Sequence, residues 1–244
     1  MTPPDRRSSA TAEPAALLAD AARSLADHLR FHQALGVRDL PLRGDHLAGP
    51  EGALGTLEAG IQGCTRCKLS RGRSTIVFGS GDSHARLVLI GEGPGEEEDR
   101  QGKPFVGRAG QLLTKMLESV GINRDEVYIC NIVKCRPPGN RNPEPEEIAA
   151  CAPFLGGQLA AIRPGVICAL GAFAAQTLLR TKEPISRLRG QIHGYGDAVL
   201  IPTFHPAFLL RNPGPAYRRQ AYEDLKLIRR EYDRVRGASS ATPA

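Results

Sequence analysis

Glu92 and His205 are titratable side chains that stand at the ends of apolar runs of this sequence. Glu92 sits in Gly91-Glu92-Gly93-Pro94-Gly95, directly after the apolar run Arg86–Ile90. The glycines around it let a backbone approach a ligand and present amide N–H groups. His205 follows the apolar run Val199–Thr203 and is pinned by Pro206. Asn131 stands near the end of the run Val127–Val133. Its carboxamide donates and accepts in one plane, which suits the edge of a base. Phe105 lies between Gly102 and Gly107, where a loop aromatic is a stacking platform for a planar ring. Phe208, Leu209, Leu210 and Arg211 place an apolar wedge beside a cation, the arrangement that pries base steps apart. Arg136 and Arg141 flank a Pro/Gly/Asn-rich loop. Each has a plainer reading: a Gly/Pro turn, a core phenylalanine, a turn-capping asparagine, a structural histidine, solvated arginines. The acidic run Glu96–Asp99 repels a pyrophosphate, so the glycine loop is not a dinucleotide fingerprint.

Six cysteines divide into two kinds. Cys130 and Cys168 lie inside apolar runs and read as small buried hydrophobes. Cys64 and Cys67 form Cys-x-x-Cys, Cys135 lies in the Pro-rich loop and Cys151 lies in the segment after it. Four such thiols suffice for a four-thiolate metal or cluster site. A zinc ribbon normally uses two Cys-x-x-Cys pairs and only one is present. The spacing therefore leans to an iron–sulfur cluster, with zinc and a redox-active Cys64/Cys67 pair left as alternatives.

These residues need a frame that gathers them. Arg86–Ile90, Val127–Val133, Val166–Leu170 and Val199–Thr203 are short apolar runs that read as buried strands. Helical periodicity covers Gly110–Val120, Pro145–Ile162, Gly171–Leu179 and Pro215–Arg236. Strands alternating with helices predict an α/β fold, a three-layer α/β/α sandwich around a central, mainly parallel four-stranded sheet. Ligands of such sheets sit beyond the carboxyl ends of the strands, where Glu92, Asn131 and His205 fall. Before this lies an arm over residues 1–55, with a disordered start, a helix over Glu13–Leu35 and a linker from Gly36 to Gly55. The catalytic domain is expected over 56–236 and a disordered tail over 237–244.

The chain has 244 residues, with 41% hydrophobic and 24% charged residues, an ordinary soluble composition. No apolar run reaches the roughly 18 residues of a membrane span. No secretory segment follows Met1, so a cytoplasmic protein is expected, nucleoid-associated if prokaryotic. Lys and Arg number 32 against 26 Asp and Glu, a net charge of +6 that suits a polyanion without requiring one.

Taken together, GEGPGEEED (91–99), GKPFVGRAGQLL (102–113), NIVKCRPPGNRNP (131–143), LGAFAAQTLL (170–179), LRGQ (188–191) and FHPAFLLRNP (204–213) resemble the family 4, iron–sulfur uracil-DNA glycosylases. The blocks occur in the family's order, from about Gly63 to about Leu227, and leave the N-terminal arm uncovered. The resemblance implies a [4Fe-4S] cluster on Cys64, Cys67, Cys135 and Cys151, and a repair enzyme that flips uracil from single- or double-stranded DNA. It implies hydrolysis of the N-glycosidic bond, leaving an abasic site. On that basis Phe105 stacks on the flipped base, Asn131 reads O4 and N3–H, and Gly93 lends a backbone amide. Glu98 crowds C5 against a thymine methyl. His205 donates to O2 as charge moves onto the base. Glu92 steadies the sugar cation and orients water. Leu209 or Leu210, with Phe208, fills the vacated stack. Arg211, Arg136 and Arg141 meet phosphates. The cluster pins its two loops and takes no redox step in cleavage. A monomer is expected, with residues 1–55 free to bind a repair or replication partner.

Three other readings compete. The broader-specificity family 5 type lacks the acidic residue that Glu92 supplies. A relative trapped covalently on its product uses a histidine in a basic loop after the second strand, and here Asn131 runs straight into VKCRPPGNRNP. His193 lies elsewhere, in an expected hairpin. A non-catalytic, metal-stabilised nucleic-acid-binding module is disfavoured by the presence of both Glu92 and His205.

Overall fold

The structure is a computed structural model that describes residues 49–239, with Ala26 alone before them. Apart from Ala26, the helix expected over Glu13–Leu35 lies outside the described residues, as does most of the expected linker. Among the described residues six strands form one sheet: β1 (Ser80–Gly81), β2 (Leu87–Gly91), β3 (Tyr128–Asn131), β4 (Val166–Leu170), β5 (His193–Tyr195) and β6 (Ala198–Thr203), in the order β1-β3-β2-β4-β6-β5. The four predicted strands are its central, parallel members β3, β2, β4 and β6. The expectation of four strands falls short by the two edges, which pair antiparallel. Those edges are two and three residues long, too short to leave a periodic signal in sequence.

Eight helices pack around the sheet among the described residues: α1 (Pro50–Ile61), α2 (Glu96–Gln101), α3 (Arg108–Glu118), α4 (Pro145–Ile162), α5 (Ala172–Leu179), α6 (Ile185–Leu188), α7 (Pro206–Arg211) and α8 (Pro215–Ser239). Strand side chains alternate between faces. Val88 and Ile90 join Leu54 and Ile61 of α1 and Phe154, Leu155 and Leu159 of α4 in one apolar cluster. Leu87 and Leu89 join Leu113 and Leu117 of α3 and Leu225 and Ile228 of α8 in the other. β2 and β4 are buried at every residue, hence their unbroken apolar sequences. Each buried Leu or Ile contributes roughly 1.5–3 kcal/mol relative to exposure.

Two boundaries differ from expectation. Residues 50–55, read as linker from their Pro, Gly and Glu content, are the first half of α1. Leu54 and Ile61 are what hold that helix down, and Pro50 opens it at a position that needs no N–H. At the other end α8 continues through Ser239, so the first residues of the expected tail are helical.

Register aligns the carboxyl ends of the parallel strands. Gly91 stands opposite Asn131, and Leu170 opposite Thr203. The chain leaves β2 toward β3 on one side and leaves β4 toward β6 on the other. The crevice where such connections diverge is where a ligand finds room.

Candidate active site

Glu92 is the first residue beyond β2 and is half-buried. Its backbone carbonyl accepts from Val133 N–H at 3.2 Å, which ties the glycine loop to the end of β3. Burial holds the Glu92 carboxyl above its ordinary value of 4.5. Gly93 packs against Val133 and Pro137, so its backbone lies in the same crevice.

Asn131, the last residue of β3, is 1% exposed, and its Oδ1 is buried without a hydrogen-bond partner. Buried polar atoms are almost always paired, so an unpaired carboxamide oxygen marks a group kept for something that arrives. A Cβ at Gly91 would collide with Asn131 Oδ1 and with the rim of the Phe105 ring. Only glycine lets these two side chains meet over the strand end.

Phe105 is buried, with φ 51°, in the left-handed region that most side chains avoid. Three contacts hold its loop there. Glu98 Oε1 accepts the Val106 and Gly107 amides at 2.9 and 2.8 Å. Arg124 donates to the Pro104 carbonyl at 2.9 Å. Gly110 leaves room for the Phe105 carbonyl, which a Cβ would overlap. Beside its expected role of crowding the C5 edge of the base, Glu98 has this one. Its carboxylate is committed to two backbone amides that fix the aromatic.

His205 caps the N-terminus of α7. Its Nδ1 accepts the Ala207 N–H at 3.1 Å, which assigns the ring proton to Nε2. Burial, aided by the nearby Arg211 charge, pushes the imidazole down to about 4, so the ring is neutral at physiological pH. The Phe105 and His205 ring centroids are 5.6 Å apart. A stacking ring, an unpaired carboxamide, a desolvated carboxylate and a neutral N–H donor thus share one crevice.

The two leucines expected to form a wedge differ in exposure. Leu209 is 3% exposed and packs in the core, whereas Leu210 is 39% exposed. Leu209 therefore cannot enter a base stack without leaving the core. Phe208 stacks on Phe204 at 5.1 Å and meets Tyr217 edge-on at 5.0 Å, which braces α7 from behind. Arg211 is exposed. Arg136 donates to Asn140 and reaches the exposed Glu96 at 3.4 Å, a weak hold that a phosphate can replace. Arg141 departs from expectation. It binds both oxygens of the fully buried Glu147, at 2.9 and 2.6 Å, and also reaches Glu144. It braces its loop from within, and its charge is already answered.

Three loop cysteines and Cys151 of α4 join one apolar cluster, Cys135 buried and Cys64, Cys67 and Cys151 packed against it. All are free thiols. Among the described residues no group of three or more His, Cys, Asp or Glu stands ready-made for a metal ion. The donor set nevertheless suits one. Cys135 lies within electrostatic reach of Cys64 and Cys67, and Cys151 within reach of Cys135 and Cys67. N–H groups point at two of the sulfurs: Arg73 Nη1 at Cys135 Sγ and the Lys134 amide at Cys151 Sγ, both 3.3 Å. Burial pushes the Cys151 thiol up to about 11 and also raises Cys135. Cys130 and Cys168 are buried within strands, as expected.

Residues 78–226 match the family model of the uracil DNA glycosylase superfamily. A type-4 uracil-DNA glycosylase of Thermotoga maritima is 51% identical over 168 residues, covering 68% of this chain and 88% of the relative. Type-4 uracil-DNA glycosylases of Archaeoglobus fulgidus and Saccharolobus solfataricus are 45% and 43% identical, covering 69% of this chain and 87% and 82% of theirs. This chain belongs to the type-4 uracil-DNA glycosylases.

Two residues of this glycosylase escape sequence reasoning. Asp99, read only as part of an acidic run, is 3% exposed and accepts the Ser74 and Thr75 amides. It ties α2 to the segment carrying Arg73. Lys134, read as part of a polar loop, is completely buried. The signal available was its place between the strand run and Cys135. His193 sits in the β5–β6 hairpin, where its Nε2 lies 3.3 Å from the Leu188 carbonyl, in keeping with a structural role.

Proposed function

We propose that this protein hydrolyses the N-glycosidic bond of deoxyuridine in DNA, releasing uracil and leaving an abasic site for repair. The observation that carries the mechanism is the Ala207 N–H to His205 Nδ1 bond, because it leaves a neutral imidazole with Nε2–H free to donate. A base within a duplex is out of reach, so it is turned out of the stack. Leu210 is the apolar side chain available to fill the gap, and Arg211 and Arg136 are the cations available to neighbouring phosphates. Phe105 covers one face of the uracil. Asn131 presents a carboxamide oxygen to N3–H and an amino group to O4. Cytosine reverses that donor–acceptor pattern and leaves the buried carboxamide opposed, a strong filter in a dry site.

As the C1′–N1 bond breaks, its electron pair moves onto uracil, and His205 Nε2–H stabilises the charge at O2. Removing one such donor typically costs about 3–4 kcal/mol. The sugar becomes oxocarbenium-like, and Glu92 is the carboxylate that faces it. Water adds at C1′ and gives its proton to Glu92, whose raised affinity for a proton suits a base. The departing uracil anion is protonated from solvent. Desolvation that keeps His205 neutral favours this division of labour, because a neutral donor does not repel the sugar cation.

The cysteines support a four-thiolate site for a [4Fe-4S] cluster, held by Cys64, Cys67, Cys135 and Cys151. Bound there, the cluster would cross-link the Cys64–Cys67 loop to the Cys135–Cys151 segment. We place the catalytic unit in the described domain and infer that one copy suffices to turn out one base. The decisive experiment is excision from a uracil-containing single strand, with iron and zinc quantified in the same preparation. Wild-type protein forms abasic sites. Glu92→Ala and His205→Ala lose on the order of a hundredfold or more in rate while retaining fold and DNA binding. A Glu92→Ala protein that cleaves at the wild-type rate overturns the role given to Glu92. Intact protein that binds DNA without cleaving it is a binding module.

A further inference from the structure

Lys134 is the largest fully buried side chain of the described residues, and its surroundings are unusual for a lysine. Its Nζ donates to the backbone carbonyl of Asn131 at 2.8 Å and to Gln158 Oε1 at 2.6 Å. Gln158, itself completely buried, donates onward to the Phe78 carbonyl at 2.9 Å and the Tyr128 hydroxyl at 3.1 Å. Both acceptors of the ammonium are neutral. Among the described residues Lys134 forms no ion pair with a carboxylate. A cation removed from water and left with neutral partners is costly, and an anion within range offsets that cost.

The candidates in range are sulfurs. The backbone N–H of Lys134 donates to Cys151 Sγ at 3.3 Å, and its chain neighbour is Cys135. A four-thiolate iron–sulfur cluster in its ordinary oxidised state leaves a net negative charge. We propose that Lys134 is a positioning residue with two ends. Its charge is the buried counter-ion of the cysteine site, and its ammonium grips the backbone of Asn131, so that the cysteine site sets the register of the base-reading carboxamide. This rests on the reading of Cys64, Cys67, Cys135 and Cys151 as cluster ligands and of Asn131 as the base reader.

The geometry favours coupling over plain packing. Asn131 ends β3, and only Ile132 and Val133 separate it from Lys134, so the lysine folds back to clasp the residue three positions before it. The same residue reaches the cysteine site through its main chain. A shift of Cys151 or Cys135 therefore moves Lys134, and Lys134 carries the Asn131 carbonyl with it. The Asn131 side chain has no bond of its own to resist, because its Oδ1 is unpaired.

The test uses iron-loaded full-length protein, wild type, Lys134→Met and Lys134→Arg. It reads two quantities other than turnover. One is the cluster's reduction potential, by spectroelectrochemistry. The other is the ratio of Kd values for two oligonucleotides that resist cleavage, carrying 2′-fluoro-deoxyuridine or 2′-fluoro-deoxycytidine at the same position. A nearby positive charge favours the reduced, more negative cluster. Lys134→Met therefore lowers the potential, and it cuts the uracil-over-cytosine binding ratio on the order of tenfold, as loss of a supporting contact does. Lys134→Arg keeps the charge but carries it on a longer, planar head that displaces the grip on the Asn131 carbonyl. It holds the potential near wild type while the binding ratio still falls.

An unchanged potential in Lys134→Met overturns the counter-ion role. An unchanged binding ratio in both variants overturns the coupling to Asn131. Wild-type protein that carries no iron, or that shows no preference for the uracil analogue, instead refutes the functional reading on which the proposal rests. If Lys134→Met does not fold, Lys134→Arg alone still decides the coupling.

Discussion

At the strand ends Asn131 Oδ1 is buried without a partner and Phe105 is held in a left-handed conformation, whereas around the cysteines nearly every polar group is matched. On that flank Lys134 meets Gln158, Arg141 meets Glu147, Asp99 takes two amides, and Lys68 pairs with Glu144 and Glu146. Both regions hang from the same central strands. The difference separates two kinds of cost. The crevice leaves hydrogen-bonding capacity unspent and carries backbone strain, which an arriving base can redeem. The flank spends its capacity internally and gains rigidity. Side chains that act on substrate should therefore be separable by mutation from side chains that hold the frame.

The sharpest way to break that contrast lies within two adjacent residues. Leu209→Ala empties a core site and should cost about 2–5 kcal/mol, read by chemical denaturation. Leu210→Ala should leave stability within about 0.5 kcal/mol and instead slow excision from duplex more than from single strands. The reverse pattern would place the wedge at Leu209. Next, Asn131→Ala should lower kcat/KM for uracil on the order of a hundredfold, about 2.7 kcal/mol, yet cost little stability, because the atom removed makes no bond. A large fall in Tm with activity retained would move Asn131 from the crevice to the frame.

Smaller effects refine the comparison on the flank. Glu147→Ala should destabilise by about 1–2 kcal/mol, since it strands Arg141 and removes the cap on the Glu144 amide. Arg141→Ala should likewise act on stability and leave the salt dependence of DNA binding unchanged. Arg136→Ala should flatten the slope of log Kd against log salt by about one phosphate contact. Equal slopes in these two arginine variants would overturn their assignment to different regions. The smallest effect is in pH. Glu92 holds its proton to a higher pH than an ordinary carboxyl, so kcat/KM should fall on the acid side with a midpoint above 4.5. His205 stays neutral down to about 4 and adds no inflection near 6.5. A limb that survives in Glu92→Gln belongs to another group.

The central strands and the order of the site blocks were legible because burial on both faces writes unbroken apolar runs, and glycines mark where they stop. Glu92, Asn131 and His205 could be placed at strand ends by that logic alone. What stayed hidden depends on contacts far apart in sequence. The bracing role of Glu98 stays hidden until its two amide partners, eight and nine residues on, come into view. Arg141 reads as a free cation until Glu147 is found buried beneath it. The burial of Lys134 has no sequence signal of its own, because lysines are rarely buried. Leu209 and Leu210 differ only in which side of a six-residue helix faces the core, a phase that so short an element does not reveal. The start of α1 was lost because its Pro and Gly content outweighs two apolar anchors.

The brevity of the two outer strands has a consequence for how the molecule keeps company. A sheet edge is a row of unpaired backbone groups that invites a strand from another chain. Here the edges offer two residues at β1 and three at β5, each running against the grain of the four strands within. So little exposed template makes edge-to-edge recruitment unrewarding, and crowding many copies along one DNA molecule carries small risk of their sheets fusing.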